Sequence, residues 1–464
     1  MAVRAIVLAA GAGTRMKSDL PKVLHEIAGR PLVGWVLAAL EKVDPTDVTV
    51  VVGSGAHEVR AALPDHVGSV LQEEQLGTGH AARVALSALD IDDDDAILLL
   101  PGDTPLLTVD TIAELLATHR RTGAGATVLT ACVDDPAGYG RILRDGWEKV
   151  TRIVEHKDAT TSQREINEIN GGVYVFAAGP LAEALSQMTR NNVQGEYYLT
   201  DALEMIAAGG HTLAAVKTTE SELAGVNSQD QLASAAAVLR ARINAGWMRS
   251  GVWMQDPART YIDAAVDVEP GARIYADVYL EGTTRVGAHA EVGPDVFARD
   301  TLIESGAKVW YAVMREASVG PDTEVGPYVS LRPGARLERS SKAGTFVEMK
   351  NTVVGEGAKV PHLAYMGDAE IGAGANVGAG TITCNYDGFE KHRTVIGEDA
   401  FIGSDTMLVA PVEIGAGAFT GAGSTISKDV SPGALAVERS NQREIPDYAE
   451  QRRRRNEAAS PKEH

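Results

Sequence analysis

The stretch VIGEDAFIGSDTMLVAPVEIGAGAFTGAGSTISK, residues 395–428, decides the fold of the second half of the chain. An aliphatic residue or a threonine recurs at every sixth position, most often followed by glycine or another small residue. The members of this series are Ile396, Ile402, Leu408, Ile414, Thr420 and Ile426. Ordinary helices and sheets have no period of six, whereas a parallel β-helix places one aliphatic residue inside at each face of its coil. The stretch therefore predicts a parallel β-helix.

The same period extends back to about Gly251. It includes Ile371 and Val377 and, earlier, Val313, Val319, Val325, Leu331 and Leu337. It breaks at residues 340–354 and 384–393, where loops must leave the coil and where functional residues usually concentrate. Just before it, five residues fall at helical spacing and predict a long helix that joins two domains. They are Leu232, Ala236, Leu239, Ile243 and Trp247.

The first half of the chain alternates short apolar runs with helical patterns. Residues 5–10, 48–52, 96–100 and 126–133 predict strands, and residues 32–40 and 111–119 predict helices. This alternation indicates a Rossmann-like α/β domain with a mostly parallel sheet. We expect domains at 1–230 and 252–464, with a helical linker at 231–251. Because ligands of such sheets bind beyond the carboxyl ends of the strands, loops 11–15 and 101–104 are candidate binding loops.

Composition limits the partners and the compartment. The formal net charge of −20 argues against nucleic acid or an anionic membrane surface, since both require a basic face. No stretch approaches the ~20 consecutive apolar residues of a membrane helix. The two cysteines are far apart and form no CxxC pattern, which is typical of a reducing compartment. We therefore interpret the chain as a cytoplasmic protein.

The loop LAAGAGTRM, residues 8–16, follows the first predicted strand. It is neither a Walker A loop nor a dinucleotide fingerprint, but its small residues would let backbone N–H groups approach a phosphate. Arg15 adds a permanent positive charge there. Asp103 follows another strand, where it could ligate a metal or cap a turn. For Glu155, taken alone, the sequence favours a surface ion pair with Lys157.

Polar side chains gather in one stretch of the predicted β-helix, residues 331–404. They are Arg332, Lys350, His362, Tyr365, Asn376 and Asn385. A plain β-helix does not need such groups, so we interpret them as a catalytic cluster with His362 as the candidate base. Acyl transfer to an amine needs a base, donors for the thioester oxyanion and cations for any phosphate on the acceptor.

Several motifs of the first half resemble those of sugar-phosphate nucleotidylyltransferases. They are LAAGAGTRM (8–16), PKVLH (21–25), EQLGTGH (74–80), GD (102–103), GYGR (138–141), IVEHK (153–157), EING (168–171), QGEYYLTD (194–201) and GVN (225–227). With the second half included, almost the whole chain resembles the family of bifunctional N-acetylglucosamine-1-phosphate uridylyltransferase/glucosamine-1-phosphate acetyltransferases. That resemblance implies a left-handed parallel β-helix after the α/β domain.

The resemblance also implies roles for residues of the first domain. Uracil and ribose of UTP would contact Leu8, Ala9, Ala10, Gly11, Gln72, Gly77 and Thr78. Arg15 and Lys22 would contact the triphosphate, and Asp103 and Asn227 would ligate Mg²⁺. Gly140, Glu155 and Asn170 would hold the N-acetylglucosamine moiety. Such sites catalyse transfer mostly by positioning and by cations that neutralise charge.

For the second domain the resemblance implies acetyl transfer from acetyl-CoA as co-substrate. His362 would be the base, Arg332 and Lys350 would clamp the phosphate of glucosamine 1-phosphate, and Tyr365 and Asn376 would contact the sugar. Acetyl-CoA would contact Gly380, Asn385, Tyr386, Ser404, Ala422 and Arg439, and Lys391 could reach a coenzyme phosphate. A homotrimer through the β-helix is implied as well.

The implied function is synthesis of UDP-N-acetylglucosamine, which supplies peptidoglycan precursors. Two alternatives stay open: nucleotidylyl transfer alone with the β-helix as a regulatory or trimerising scaffold, and a regulatory subunit without turnover. Retention of Arg15, Lys22 and Asp103 argues against the latter. Residues 451–464, with four consecutive arginines, predict a disordered tail, although contact with a coenzyme phosphate is an alternative.

Overall fold

A computed structural model describes residues 2–459, which separate into two compact units. The first unit comprises the described part of 1–249 together with Thr260–Val266, and the second comprises Ser250–Arg259 and the described residues after 266. Within residues 2–459, no helix combines the length and the apolar character needed to cross a membrane.

The first unit is a sheet covered by helices. Its strands are β1 (Val3–Ala9), β2 (Glu26–Ile27), β3 (Arg30–Pro31), β4 (Asp47–Val52), β5 (Gly68–Leu71), β6 (Ala96–Pro101), β7 (Ala126–Cys132), β8 (Arg141–Arg144), β9 (Val150–Val154), β10 (Glu168–Ala177) and β11 (Leu213–Lys217), followed by a short strand at Thr260–Ile262. Its helices are α1 (Leu32–Glu41), α2 (Ala56–Ala61), α3 (Thr78–Leu86), α4 (Val109–Thr122), α5 (Thr161–Arg164), α6 (Ala178–Gln187), α7 (Leu199–Ala208), α8 (Glu220–Leu223) and α9 (Gln229–Arg249), with 3₁₀ turns at Thr14–Met16 and Lys22–Leu24.

The main sheet has the order β11-β7-β10-β6-β1-β4-β5, with β8 and β9 as a hairpin beside β10. It is parallel except at β10 and in the hairpin, which confirms the predicted mostly parallel sheet. Strand β6 reads Ala-Ile-Leu-Leu-Leu-Pro because helices cover both faces of the central strands, so successive residues are buried on opposite sides. Leu8 of β1 lies in register with Pro101 of β6. The loops that follow these strands therefore leave the same edge of the sheet.

Helix α9, predicted as the linker, belongs to the first unit. Ala235 and Leu239 pack against Ile27, Leu32 and Leu106 in a small apolar core. Burial of that stripe stabilises the helix on the domain. We propose that the first domain extends through α9, beyond residue 230.

The second unit is a coil of short parallel strands. They are Trp253–Met254, Asp267–Val268, Arg273–Ile274, Val278–Glu281, Arg285–Val286, Glu291–Val292, Val296–Arg299, Leu302–Ile303, Lys308–Val309, Ala312–Arg315, Ser318–Val319, Glu324–Val325, Val329–Leu331, Arg336–Leu337, Lys342–Thr345, Glu348–Val354, Lys359–His362, Tyr365–Ile371, Asn376–Val377, Ile382–Cys384, Thr394–Ile396, Phe401–Ile402, Met407–Val409, Val412–Ile414, Phe419–Thr420, Thr425–Ile426 and Leu435–Ala436, with a 3₁₀ turn at Pro257–Arg259. Arg273 is in register with Glu291, Glu291 with Lys308, and Lys308 with Glu324, so these coils take 18, 17 and 16 residues. Three hexapeptides thus complete one turn of a parallel β-helix, as predicted.

The interior of the coil is filled by the residues of the six-residue series. Ile402, Leu408 and Ile414 are fully buried, which confirms that pattern. Val313 is a correction, because it is 39% exposed, and Met314 takes the interior position. Buried Val309, Met314 and Val319 are five residues apart, so two consecutive faces are each one residue short there. A prediction that assumes a strict period of six cannot detect such a deletion.

The end of the chain also differs from the prediction. Tyr448–Ala459 form an α-helix, α10, in place of a disordered tail. The segment is rich in Glu, Gln, Arg and Ala, which favour helices, and Glu450 pairs with Arg454 one turn later. The rest of the predicted tail, 460–464, lies outside the described residues.

Candidate active sites

A cavity of about 410 Å³ opens at the carboxyl ends of β1 and β6. Most residues predicted for the nucleotide and sugar line it: Leu8, Ala9, Ala10, Gly11, Lys22, Gln72, Gly77, Thr78, Asp103, Glu155 and Asn170. Asn227 and Gly140 are not among its lining residues but contact residues that are. Arg15 lies exposed in the 3₁₀ turn Thr14–Met16, apart from the cavity lining.

One end of the cavity is shaped by backbone and amide groups. The Gln72 side chain is 3% exposed and donates from Nε2 to the Gly77 carbonyl at 3.2 Å. Gly77 has a φ of 106°, and a Cβ there would lie 2.6 Å from the Tyr197 carbonyl oxygen. Thr78 begins α3, and its hydroxyl accepts from the Leu199 amide at 3.1 Å. This close packing fixes a flat, partly polar wall suited to a base or ribose.

Lys22, Asp103 and Asn227 meet at the mouth of this cavity. The Lys22 ammonium donates to Asp103 Oδ2 at 2.5 Å and to Asn227 Oδ1 at 2.9 Å. The Val226 amide donates to the Asp103 carbonyl at 2.9 Å, so the two loops are tied together. A Cβ on Gly225 would lie 3.5–3.6 Å from Asn227 Nδ2 and Asp103 Oδ2, in ordinary contact with them.

These oxygens fit a magnesium ion. Both already converge on one cation, and Mg²⁺ in phosphoryl-transfer sites takes one or two protein oxygens while phosphates and waters supply the others. No group of three or more His, Cys, Asp or Glu side chains among residues 2–459 is arranged as a metal site. A metal here would therefore depend on its substrate for ligands.

The other end of the cavity holds the residues predicted for the sugar. The Asn170 amide donates to the Tyr174 hydroxyl at 2.6 Å and accepts from the Gly172 amide at 3.0 Å, so its orientation is set. Asn170 N–H donates to the Gly140 carbonyl at 2.9 Å. A Cβ on Gly140 would lie 3.0 Å from the Ile153 side chain, so this turn has no room for a larger residue.

Glu155 is a half-buried acceptor beside these groups. Burial raises the pKa of Glu155, the carboxylates of Asp201 and Asp158 raise it further, and a hydrogen bond from the Thr200 hydroxyl at 3.1 Å opposes the shift. Burial likewise raises the pKa of Tyr174. The predicted surface ion pair with Lys157 is wrong as an alternative, because Lys157 Nζ donates to Gln194.

Thr200 and Tyr174 were missed as individual site residues although both line the cavity. Thr200 lies within the QGEYYLTD motif, whose resemblance pointed to the site without showing which side chain faces it. Tyr174 lies on β10 four residues after Asn170. Residues four apart on a strand share a face, and the register shift between Asn170 and Tyr174 is two residues, so it keeps them on the same side. This alternation is the signal that could have found Tyr174.

The β-helix brings the predicted cationic residues together. Lys350 is in register with Gly367 on the next coil, and the Arg332 amide donates to the Met349 carbonyl, so Arg332 lies one coil before Lys350. Gly367 has no side chain in this row, and neighbouring polar groups occupy the position that a side chain would take. A Cβ there would lie 2.5 Å from Tyr365 Oη and 2.6 Å from Asn385 Nδ2, so the hydroxyl and the amide border that position.

Lys391 lies in the same cluster. Contact between the Lys350 and Lys391 side chains lowers the pKa of Lys350, and the charge of Arg332 lowers it further. Asp368 is the neighbouring carboxylate, but it accepts from Asn351 at 2.7 Å and from Asn385 at 2.6 Å. The three cationic side chains of Arg332, Lys350 and Lys391 outnumber the carboxylates of Asp368 and Glu348 here, as an anion site requires.

The loop that carries Lys391 is ordered by its own hydrogen bonds. Asp387 accepts from the amides of Phe389 and Glu390 at 2.8 and 2.7 Å and pairs with His392 Nε2 at 2.8 Å. These hydrogen bonds lower the pKa of Asp387. The His392 amide donates to the Asn385 carbonyl, so the loop closes back on the coil.

His362 lies exposed at the end of strand Lys359–His362. Leu363 follows it, and the Leu363 carbonyl accepts from the Gly380 amide at 2.9 Å, which places a residue predicted for acetyl-CoA next to the candidate base. Asn376 lies on the same sheet, in register with Lys359. Glu348, a carboxylate that begins the strand Glu348–Val354, pairs with Arg332 at 2.8 Å.

The remaining residues predicted for acetyl-CoA lie on later coils, toward the C-terminal end of the β-helix. The Ser404 carbonyl accepts from the Gly423 amide at 2.8 Å, and Arg439 donates to the Ala422 carbonyl at 2.8 Å. Ser404, Ala422 and Arg439 thus form a continuous edge. Tyr386 is 61% exposed in the loop before Lys391.

One corner of the β-helix is apolar and exposed. Tyr311, Tyr328, Phe346 and Leu363 occupy equivalent positions on successive coils, each with φ between 47° and 60°. Neighbouring aromatic rings are 5.4 Å apart, and three of the four side chains are more than 50% exposed. An open groove of about 710 Å³ runs beside this corner.

Comparison with known proteins agrees with both halves. The MobA-like NTP transferase domain matches residues 5–240, and the bacterial transferase hexapeptide (six repeats) matches residues 393–428. The chain is 50% identical to the bifunctional protein GlmU of Streptomyces coelicolor over 99% of this chain and 96% of that protein. It is 48% identical to the GlmU proteins of Streptomyces avermitilis (99% and 96% covered) and Thermobifida fusca (97% and 94%).

The fold and the two sites define a transferase with a nucleotidyltransferase domain and a hexapeptide-repeat acyltransferase domain. The match to these relatives spans both domains. The chain belongs to the bifunctional GlmU family. It is a uridylyltransferase and an acetyltransferase of UDP-N-acetylglucosamine synthesis, which favours the two-activity interpretation over nucleotidylyl transfer alone.

Proposed function

We propose that the two activities occupy the two sites described above and act in sequence. In the β-helix, the amine of glucosamine 1-phosphate attacks the acetyl-CoA carbonyl, the amine loses a proton, and coenzyme A leaves as the thiol. In the first unit, a phosphate oxygen of N-acetylglucosamine 1-phosphate attacks the α-phosphorus of UTP, and pyrophosphate leaves. The observation that carries the uridylyltransferase part of this assignment is the single cavity that is lined by both the nucleotide set and the sugar set.

Uridylyl transfer joins two anions, so the site must hold them and neutralise charge. Gln72, Gly77 and Thr78 orient the nucleoside, and Arg15 and Lys22 contact the triphosphate. Asp103 and Asn227 would hold Mg²⁺, which when bound would offset the negative charge of the phosphates.

The sugar phosphate is oriented at the far end of the cavity. Asn170 has both ends of its amide engaged, so it presents one remaining N–H in a fixed direction. The half-buried Glu155 offers an acceptor for a sugar hydroxyl. Gly140 lies between the two, since a Cβ there would lie 3.4 Å from Asn170 Cβ and 3.5 Å from Glu155 Oε1, and this close packing fixes their spacing.

Acetyl transfer uses the cationic row of the β-helix. Arg332, Lys350 and Lys391 hold the phosphate of glucosamine 1-phosphate, and Tyr365 and Asn376 contact its sugar. The contact between Lys350 and Lys391 supports placing Lys391 at the sugar phosphate instead of a coenzyme phosphate. His362 accepts the amine proton, since an imidazole suits proton transfer near neutral pH. Glu348 is less suited because it is engaged with Arg332.

The acetyl-CoA site and the oligomer are linked in this proposal. Gly380, Asn385, Tyr386, Ser404, Ala422 and Arg439 line the edge proposed for the coenzyme. The apolar corner of Tyr311, Tyr328, Phe346 and Leu363 is proposed as the contact with a second copy of the chain in a homotrimer. Exposed aromatic stacks on a rigid coil gain most from burial against another apolar surface. UTP and acetyl-CoA are cytoplasmic metabolites, which supports a cytoplasmic enzyme.

One assay tests both activities together. The full-length protein is incubated with glucosamine 1-phosphate, acetyl-CoA, UTP and Mg²⁺, and products are followed by mass spectrometry. We expect N-acetylglucosamine 1-phosphate to rise first and UDP-N-acetylglucosamine to follow, with pyrophosphate released in equal amount. Accumulation of UDP-glucosamine ahead of any acetylated product would contradict the proposed order.

A further inference from the structure

Lys22 contacts the same two oxygen atoms that are proposed to bind magnesium. Its ammonium lies 2.5 Å from Asp103 Oδ2 and 2.9 Å from Asn227 Oδ1. The Lys22 and Asp103 side chains are only 15% and 14% exposed, so solvent screens this contact weakly. A magnesium ion needs its oxygen ligands at ~2.0–2.1 Å, and two cations at such short separation repel strongly. The ammonium and the metal ion therefore exclude each other.

The backbone of Lys22 is held, whereas its side chain is long enough to move. Lys22 begins the 3₁₀ turn Lys22–Leu24, and its carbonyl accepts from the His25 amide. Gly13 approaches it so closely that a Cβ there would lie 2.7 Å from Lys22 Cβ. The lysine side chain also lines the cavity at the phosphate loop. Rotation of its four-carbon stem alone can carry the ammonium from the carboxylate toward a triphosphate.

Resting on the magnesium site proposed above, we infer that Lys22 is an internal cation that exchanges with the metal. Lys22 neutralises Asp103 until a nucleoside triphosphate arrives. The triphosphate then takes the ammonium, and the two oxygens become free for a divalent cation. The metal therefore enters together with the nucleotide, and the protein alone binds it weakly. Because coupling between two ligands is reciprocal, the metal also strengthens nucleotide binding by displacing Lys22 toward it.

The test measures metal binding without turnover. Full-length protein without nucleotide is titrated with Mn²⁺, and free Mn²⁺ is followed by electron paramagnetic resonance. Lys22→Met removes the ammonium and keeps a chain of similar length, and Lys22→Gln serves as a second variant. We expect both to bind Mn²⁺ at least ~10-fold more tightly than wild type, equivalent to about 1.4 kcal/mol. Lys17→Met, which removes an exposed lysine from the same loop, should match wild type. Unchanged or weaker Mn²⁺ binding in both Lys22 variants, with native circular dichroism, would overturn the inference.

A third substitution separates this inference from the metal site on which it depends. Asp103→Asn, combined with Lys22→Met, should remove the tight Mn²⁺ binding gained by Lys22→Met alone. If the double variant binds Mn²⁺ as tightly as Lys22→Met, the metal lies elsewhere and the proposed magnesium site is wrong. In a further outcome, Asp103→Asn alone weakens Mn²⁺ binding measured with UTP present, but Lys22→Met does not tighten Mn²⁺ binding without UTP. The proposed magnesium site would then stand, and the exchange between Lys22 and the metal would be wrong.

Discussion

A side chain placed at Gly367 gives the most quantitative test of the acetyltransferase site. In Gly367→Ala the new Cβ would lie 2.5 Å from Tyr365 Oη and 2.6 Å from Asn385 Nδ2, where ordinary contact begins at 3.4 Å. Asn385 cannot easily yield, because it is 7% exposed and donates to Asp368 at 2.6 Å. Both polar groups must therefore move by nearly 1 Å. Overpacking of this size costs ~1–3 kcal/mol, which corresponds to about a 5- to 150-fold loss if the cost falls on the geometry of the site.

The loss should appear in kcat/KM for glucosamine 1-phosphate, measured by release of the coenzyme A thiol. Uridylyl transfer in the same variant is the internal control and should equal wild type, since Gly367 belongs to the other unit. Gly246→Ala is the matched control, because that glycine lies in helix α9 with open space around its Cβ position. If Gly367→Ala folds normally and acetylates with the wild-type kcat/KM, the row of Arg332, Lys350 and Gly367 is not the substrate site.

Three further changes give distinct readouts. His362→Ala should lower kcat of acetyl transfer by ~10²–10⁴ with little change in KM for acetyl-CoA, and a normal kcat would move the base elsewhere. Burial raises the pKa of Glu155, so the folded state binds this proton more tightly than the unfolded state does. The free energy of unfolding therefore falls as the pH rises from the ordinary carboxyl pKa to the raised pKa of the folded state. Glu155→Gln should therefore resist urea better than wild type at pH 8, with the difference shrinking toward pH 4, while uridylyl transfer drops; an equal gain at both pH values would refute the buried charge. Phe346→Asp should lower the mass measured by light scattering, whereas Phe389→Asp, in an exposed loop, should leave it unchanged; a wild-type mass for both would exclude this corner as the contact.

Much of the fold could be predicted because it repeats. Ile402, Leu408 and Ile414 are spaced by the coil itself, so their burial follows from the sequence alone. Val313 shows the limit, since one deleted residue on each of two faces turns a pattern member outward and only coordinates reveal it. The apolar corner that includes Tyr328 and Phe346 was not predicted from the sequence, because its members recur only once per coil, every 17 or 18 residues.

The candidate site of the first unit could be predicted in part from its sequence motifs. Resemblance to known motifs located Glu155 and Asn170, and the structure brings both to one cavity. It could not show that Thr200 donates to Glu155 from 45 positions away, because such contacts depend on how β9 and α7 pack. Nor could sequence place Lys391 against Lys350, since the loop that carries it is shaped by the Asp387 hydrogen bonds.

The central claim is that one chain carries two independent active sites, and complementation tests it most directly. Asp103→Ala and His362→Ala are purified separately and supplied with glucosamine 1-phosphate, acetyl-CoA, UTP and Mg²⁺. We expect the first to stop at N-acetylglucosamine 1-phosphate, the second to form almost no product, and their mixture to make UDP-N-acetylglucosamine. Both variants should be equally folded by circular dichroism. Failure of the mixture, or failure of His362→Ala to convert added N-acetylglucosamine 1-phosphate and UTP to UDP-N-acetylglucosamine, would contradict two separate sites.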